Sequence, residues 1–145
     1  MSEDPAKITN GADGASPDWQ HPLALRFRDL DYLGHVTASE YLAMFEEGRA
    51  AWLSKRFDTP YPTYVVARQE IDFEREIRLP DGPLTLNIEL VRLGTKSLQV
   101  SETIESRDGR IHARSRAALV MWNPEARTSR ELTDSERASL ERASA

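Results

Sequence analysis

A chain of 145 residues has the size of one ordinary domain, and with a net charge of −5, a pI near 5.3 and no basic block it offers nothing for a nucleic acid to bind. It has no cysteine, which excludes a thiol nucleophile, a disulfide framework and a Cys-ligated metal centre, and which suits a reducing, cytoplasmic setting. No apolar run approaches the roughly 18 residues of a membrane span, and three scattered histidines form no ligand cluster, so neither a membrane nor a metal is expected as a partner.

Residues 1–18 are polar and rich in Gly, Ser, Asp and Pro, lack the regions of a signal peptide, and read as a disordered N-terminal arm. The domain is expected over 19–132. Its first pattern is LALRF, residues 23–27, where Leu23, Leu25 and Phe27 alternate with Ala24 and Arg26 as in a strand. RDLDYLGHVTASEY, residues 28–41, follows, and its Thr37-Ala38-Ser39-Glu40 has the form of a capping box with Thr37 as N-cap. A helix is predicted over 37–57. Tyr41, Phe45, Gly48 and Trp52 recur at helical spacing beside a second row of Leu42, Phe45, Arg49 and Leu53, a stripe wide enough to be embraced by a sheet. Glu46 and Arg49 stand three apart and suit a salt bridge.

After the proline-bearing FDTPYP the period changes. From Val65 to Ile77 the odd positions are largely apolar and the even ones largely charged, the mark of a strand with one wet face. PDGP, residues 80–83, reads as a turn. Leu84, Leu86, Ile88 and Leu90 define the next strand, and Leu98, Val100 and Ile104 another. In RDGR, residues 107–110, Asp108-Gly109 suits a type I′ hairpin turn. Ile111, Ala113, Ala117, Leu119 and Met121 line a last strand, which Pro124 ends, and residues 133–145 form a tail or short helix capped by Thr133 or Asp134. The predicted class is α+β: a four-strand antiparallel meander plus the first strand, a five-stranded sheet wrapped around one long central helix.

RFRDLDYLGHVTASEYLAMFEEGR followed by this meander resembles the hot-dog fold acyl-CoA thioesterases of the 4-hydroxybenzoyl-CoA thioesterase family. That family's aromatic residue, D-x-D-x-x-G-H-V-N-N, Tyr and E-x-x-R are matched by Phe27, Asp29, Asp31, Gly34, His35, Val36, Tyr41, Glu46 and Arg49, and the likeness covers about residues 22–132. Thr37-Ala38 stands where Asn-Asn is usual. The resemblance implies hydrolysis of an acyl-CoA or acyl-carrier-protein thioester, with coenzyme A as part of the substrate and no other cofactor. It implies Asp31 as the catalytic carboxylate, either nucleophile or general base, and the Ala38 backbone N–H as the group polarising the acyl carbonyl. It also implies a homodimer or a dimer of dimers, with sites between protomers.

The residues suit that chemistry. Thioester hydrolysis needs a base or nucleophile for the acyl carbon and donors for the developing oxyanion. The first N–H groups of a helix lack intrahelical partners and sit at its positive end. Thr37 would cap one of them, leaving that of Ala38 for a carbonyl oxygen. Gly34 permits a tight return of the loop after Asp31. His35 is either an acid, a group that orients Asp31 or the thioester, or a partly buried histidine satisfied by backbone. Asp29 reads as a loop-ordering carboxylate. Glu46 and Glu47 are reserve catalytic carboxylates. Gly34, Thr37, Tyr41, Phe45 and Lys96 are the substrate-binding candidates, with Tyr41 and Phe45 read first as core and otherwise as acyl-pocket wall, and Arg92, Lys96 and Arg114 are either solvated strand charges or cations that meet phosphates. The alternative function is a non-catalytic hot-dog module that binds an acyl ligand or assembles. A hot-dog dehydratase fits less well, for want of its His-bearing helix motif.

Overall fold

The structure, a computed structural model, describes residues 16–143; residues 1–15 of the expected N-terminal arm and 144–145 of the tail lie outside the described residues. Its long helix, α1 (Ala38–Phe57), buries Tyr41, Met44, Phe45, Gly48, Arg49, Trp52 and Leu53. This is the wide stripe the spacing predicts, rotated slightly, since Leu42 is half-exposed. Gly48 is what lets the sheet come close: a Cβ there would stand 1.8 Å from Cδ2 of Leu86. Thr37 occupies the N-cap, but its hydroxyl makes no capping bond; the Glu40 N–H instead reaches the Thr37 carbonyl at 2.9 Å. The expected capping box at this end is therefore absent. Asp58, in the left-handed region at φ 51°, closes the other end onto the Ser54 carbonyl.

Among the described residues, six strands form one antiparallel sheet: β1 (Trp19–Leu23), β2 (Tyr64–Phe73), β3 (Leu84–Leu93), β4 (Ser97–Glu105), β5 (Ile111–Asn123) and the two-residue β6 (Thr128–Ser129). The main order is β1-β3-β4-β5-β2, with β6 on β5. The five-stranded curled sheet on a central helix is as expected, but the meander comprises only β3, β4 and β5. β2 pairs with β5, not β3, so residues 74–83 cross the end of the sheet. Within that crossing, residues Leu79–Asp81 make a 3-10 turn held by the Asp81 carboxylate on the Arg78 N–H at 2.7 Å.

β1 begins earlier than LALRF suggests. The chain leaves the sheet after Leu23 because the Asp29 carboxylate accepts bonds from the Arg26 N–H (2.9 Å) and guanidinium (2.8 Å), folding Phe27–Asp29 into a 3-10 turn. The ordered fold also reaches back to Asp18, whose carboxylate accepts the Leu90 N–H. RDGR does not make a type I′ turn. Ser106 N–H bonds the Arg110 carbonyl, Gly109 N–H bonds the Ser106 carbonyl, and only Gly109 has positive φ, at 85°. That is a three-residue loop with a left-handed glycine. The tail forms α2 (Asp134–Ala143), which packs on α1 through the fully buried Leu140. A capping box does exist here: Thr133 Oγ accepts the Glu136 N–H (3.0 Å), and the Glu136 carboxylate accepts the Thr133 N–H (2.8 Å).

Candidate active site

The stretch between β1 and α1 folds back on itself. Leu30 and Val36 form an isolated antiparallel bridge, Asp31 N–H donates to the His35 carbonyl at 2.9 Å, and Gly34 N–H donates to the Asp31 carbonyl at 3.0 Å. Gly34 sits at φ 83°, a value that side-chain-bearing residues adopt only at a cost. This is the same three-residue loop as Ser106–Arg110. Its effect here is to set residues four apart side by side without a helix: Asp31 Oδ2 and His35 Nε2 face each other at 3.1 Å. The other oxygen of Asp31 accepts the Leu33 N–H at 2.9 Å, which orders the turn.

Two more bonds fix this loop in the domain. Val36 N–H donates to the Ile77 carbonyl (2.8 Å) and Thr37 N–H to the Asp29 carbonyl (3.0 Å). The start of α1 is thereby laid beside the segment that leaves β2. Between them opens a cavity of about 360 Å³ lined by Asp31, His35, Val36, Ala38, Tyr41 and Phe73–Glu76. Tyr41 and Phe73 form an edge-to-face pair on its wall, with centroids 4.9 Å apart. Burial, with the Asp81 and Glu76 carboxylates adding to it, pushes the Tyr41 hydroxyl up to about 12, so it stays neutral. Asp29, nearly fully buried, faces Arg26. Burial raises its carboxyl, but the bonds from Arg26 outweigh that and hold it below the usual range.

Asp31, His35, Ala38 and Tyr41 thus meet in one place. Gly34 and Thr37 shape the backbone around it. Phe45 is fully buried under the Arg49 guanidinium, 5.7 Å from its ring, and belongs to the core rather than to this wall. Lys96 lies exposed in the β3–β4 turn and does not line the cavity, nor do Glu46, Glu47 or Arg92. Glu47 instead faces His21 at 3.0 Å, and Arg114 pairs with Glu74 at 2.6 Å. Sequence reading missed Glu76, whose Oε2 stands 3.2 Å from Nδ1 of His35. It also paired Arg49 with the wrong carboxylate. The guanidinium holds Glu102 of β4 through two 2.7 Å bonds, both side chains buried, and Ser115 of β5 donates to the same carboxylate. The alternation in β4 does put Glu102 on the face of Val100 and Ile104, and that was the available signal.

A curled antiparallel sheet around one long helix, with a cavity of mixed apolar and charged lining at the helix start, defines a hot-dog fold domain. The chain belongs to the Thioesterase-like superfamily, whose family model matches residues 25–140. Among solved structures it is similar to a thioesterase from Thermus thermophilus complexed with coenzyme A and Zn, 26% identical, with 89% of this chain and 96% of that one covered and a TM-score of 0.74. A predicted thioesterase from Bacillus stearothermophilus is 23% identical over 86% of this chain and 95% of its own, with a TM-score of 0.76. A hypothetical protein from Staphylococcus aureus in complex with CoA is 12% identical over 92% and 88%, with a TM-score of 0.79. The last two show the fold alone. Among curated proteins there is no sequence match. Superfamily membership supports thioester hydrolysis as the general chemistry. Among the described residues, no helix is long and apolar enough to cross a membrane, and no group of three or more His, Asp or Glu side chains is disposed to hold a metal ion.

Proposed function

We propose that the protein is a thioesterase that hydrolyses an acyl-CoA or acyl-carrier-protein thioester to free acid and thiol, with Asp31 as its catalytic carboxylate. The observation that carries this reading is the shared cavity, in which Asp31 and the first residue of α1, Ala38, line one space with His35 beside them. As a nucleophile, Asp31 attacks the acyl carbon, expels the thiolate and leaves an anhydride that water opens. As a general base, it takes a proton from water while the water oxygen attacks the same carbon; the tetrahedral intermediate then breaks its C–S bond, and the departing thiolate takes up that proton. In either route the carbonyl oxygen gains charge, and the Ala38 N–H, at the positive end of α1, is the donor for it. Tyr41 and Phe73 give the acyl group an apolar wall. Coenzyme A enters as part of the substrate, and the reaction as written draws on no further cofactor. Likeness to the Thermus thioesterase complexed with coenzyme A supports a CoA ester.

The reading includes a homodimer, or a dimer of dimers, working in the cytoplasm. β1 and β2 are the two edges of the main sheet, and β2 exposes Val65, Val66 and Phe73. An open edge with apolar side chains favours pairing with a second copy. Phe73 also lines the cavity, so a partner on that edge would border the site. A monomer by light scattering at assay concentration would remove this part.

The test of the chemistry is thiol release from a panel of acyl-CoAs. Asp31→Asn keeps shape and removes charge, and release should fall at least about a hundredfold. A folded variant with undiminished turnover would refute the role of Asp31. Binding of an acyl-CoA with no thiol released from any member would make the chain a ligand-binding module instead.

A further inference from the structure

His35 has a carboxylate on each side. Nε2 faces Asp31 Oδ2 at 3.1 Å, and Nδ1 faces Glu76 Oε2 at 3.2 Å. We propose that Glu76 is a positioning residue, which fixes the ring orientation and tautomer of His35 and so decides which ring nitrogen exchanges a proton with Asp31; this rests on the thioesterase reading above.

The argument is one of hydrogen-bond inventory. A carboxylate has only acceptor oxygens, so the ring nitrogen beside it needs a hydrogen. With Glu76 at Nδ1 the neutral ring carries its proton there, and the lone pair this leaves on Nε2 fits an Asp31 carboxyl that has itself taken up a proton, since an ionised Asp31 would by the same rule need a hydrogen on Nε2. The charged ring carries both protons and donates to both carboxylates. In either state Nδ1–H is retained, and the proton that comes and goes is the one on the Asp31 side. Without Glu76, no hydrogen-bond partner for Nδ1 remains among the described residues, and the ring is free to turn over or change tautomer.

Glu76 is more than half exposed, so its side chain is not held by packing. Its backbone is. Glu74 and Arg75 N–H groups donate to the His112 carbonyl at 2.9 and 3.1 Å, and Ile77 carbonyl accepts the Val36 N–H. The ring of His112, buried, approaches the Glu76 carbonyl at 2.9 Å through Nδ1. A carbonyl can only accept, so His112 carries a hydrogen on Nδ1 and donates it, while its buried Nε2 has no partner. His35 itself bridges to Arg78. Glu76 is therefore anchored from both sides at the one place where its carboxylate reaches His35.

The experiment combines ring 15N shifts of His35, assigned with His35→Gln, and steady-state kinetics on a cleaved acyl-CoA, for the full chain and for Glu76→Ala and Glu76→Gln. The neutral ring of the parent should be the Nδ1–H tautomer. Glu76→Ala should revert it to Nε2–H and lower kcat about tenfold while KM changes less than about twofold, and Glu76→Gln, which keeps an acceptor oxygen, should restore much of both. A parent ring already in the Nε2–H form, or a Glu76→Ala ring that stays Nδ1–H, overturns the proposal, as does a tautomer change with kcat unaltered. If the parent cleaves no thioester, the thioesterase reading fails, and the tautomer comparison alone decides whether Glu76 governs His35.

Discussion

Replacing Arg49 with Met leaves Glu102 buried with the Ser115 hydroxyl but without the guanidinium that supplies two 2.7 Å bonds. Both partners are 1% exposed or less, so water cannot take over. Removing one member of such a pair costs about 3–5 kcal/mol, which for a domain of this size lowers the melting temperature by on the order of 10–15 °C. Met fills the space over Phe45, so the loss measures charge and hydrogen bonding more than a cavity. Arg49→Met/Glu102→Leu removes both charges, and should lie within about 2 kcal/mol of the parent, because a hydrophobic pair of similar volume has no desolvation cost to offset. The assay is thermal and urea unfolding of the parent, both single variants and the double, read as a double-mutant cycle. A single Arg49→Met variant melting within about 2 °C of the parent would refute the claim that this pair is a buried, mutually dependent charge.

Gly48→Ala removes a poor helix former, a gain of about 1 kcal/mol, but its Cβ would strike Leu86 in the core, where overpacking costs about 1–3 kcal/mol; a lower melting temperature is expected, and a higher one would mean that Leu86 repacks freely. Thr133→Ala should cost about 1 kcal/mol, whereas Thr37→Ala, whose hydroxyl caps nothing, should change stability by less than about 0.5 kcal/mol; equal losses in urea titrations would contradict this assignment. Asp29 and Glu136 are each raised by burial but held net below their ordinary values of 3.8 and 4.5, by Arg26 and by Arg130 with Thr133 respectively. Carboxyls lowered in the folded state contribute fully above their unfolded values and lose that contribution as pH falls through the folded ones. Urea midpoints should therefore stay level down to about pH 5 and fall below about pH 4, more gently in Glu136→Gln, and an equally steep fall in that variant would remove Glu136 as a cause.

The helix and the tight return of the loop at Gly34 were the most legible parts of the chain. Both rest on local signals: a period near 3.6 over twenty residues, and a glycine suited to a left-handed turn. The sheet was legible as strands but not as an order. Alternation says that a segment is a strand with one buried face, and nothing in Val65–Ile77 states whether its neighbour is β3 or β5. Where side chains compete for the backbone, local patterns misled. LALRF alternates like a strand, yet Asp29 captures Arg26 and turns the chain before the pattern is used. Thr37 and Glu40 have the spacing of a capping box, but that box forms at Thr133 and Glu136, where the same residue types recur. Glu76 was hidden because its relation to His35 depends on two segments 41 residues apart being stitched together.

That stitching has a consequence for how the site comes apart. The N–H groups of Asp31, Val36, Thr37, Glu74 and Arg75 all donate to carbonyls of the loop, of the crossing segment or of His112 in β5. Amides held in this way exchange with solvent only when their partners separate, and for Val36, Glu74 and Arg75 that means detaching the end of the sheet. The loop that bears Asp31 is thus part of the same cooperative unit as β5 rather than a flap hung on it. Its amide protection should rank with that of the central strands, and the cavity should disappear in the global transition instead of in an earlier, local one.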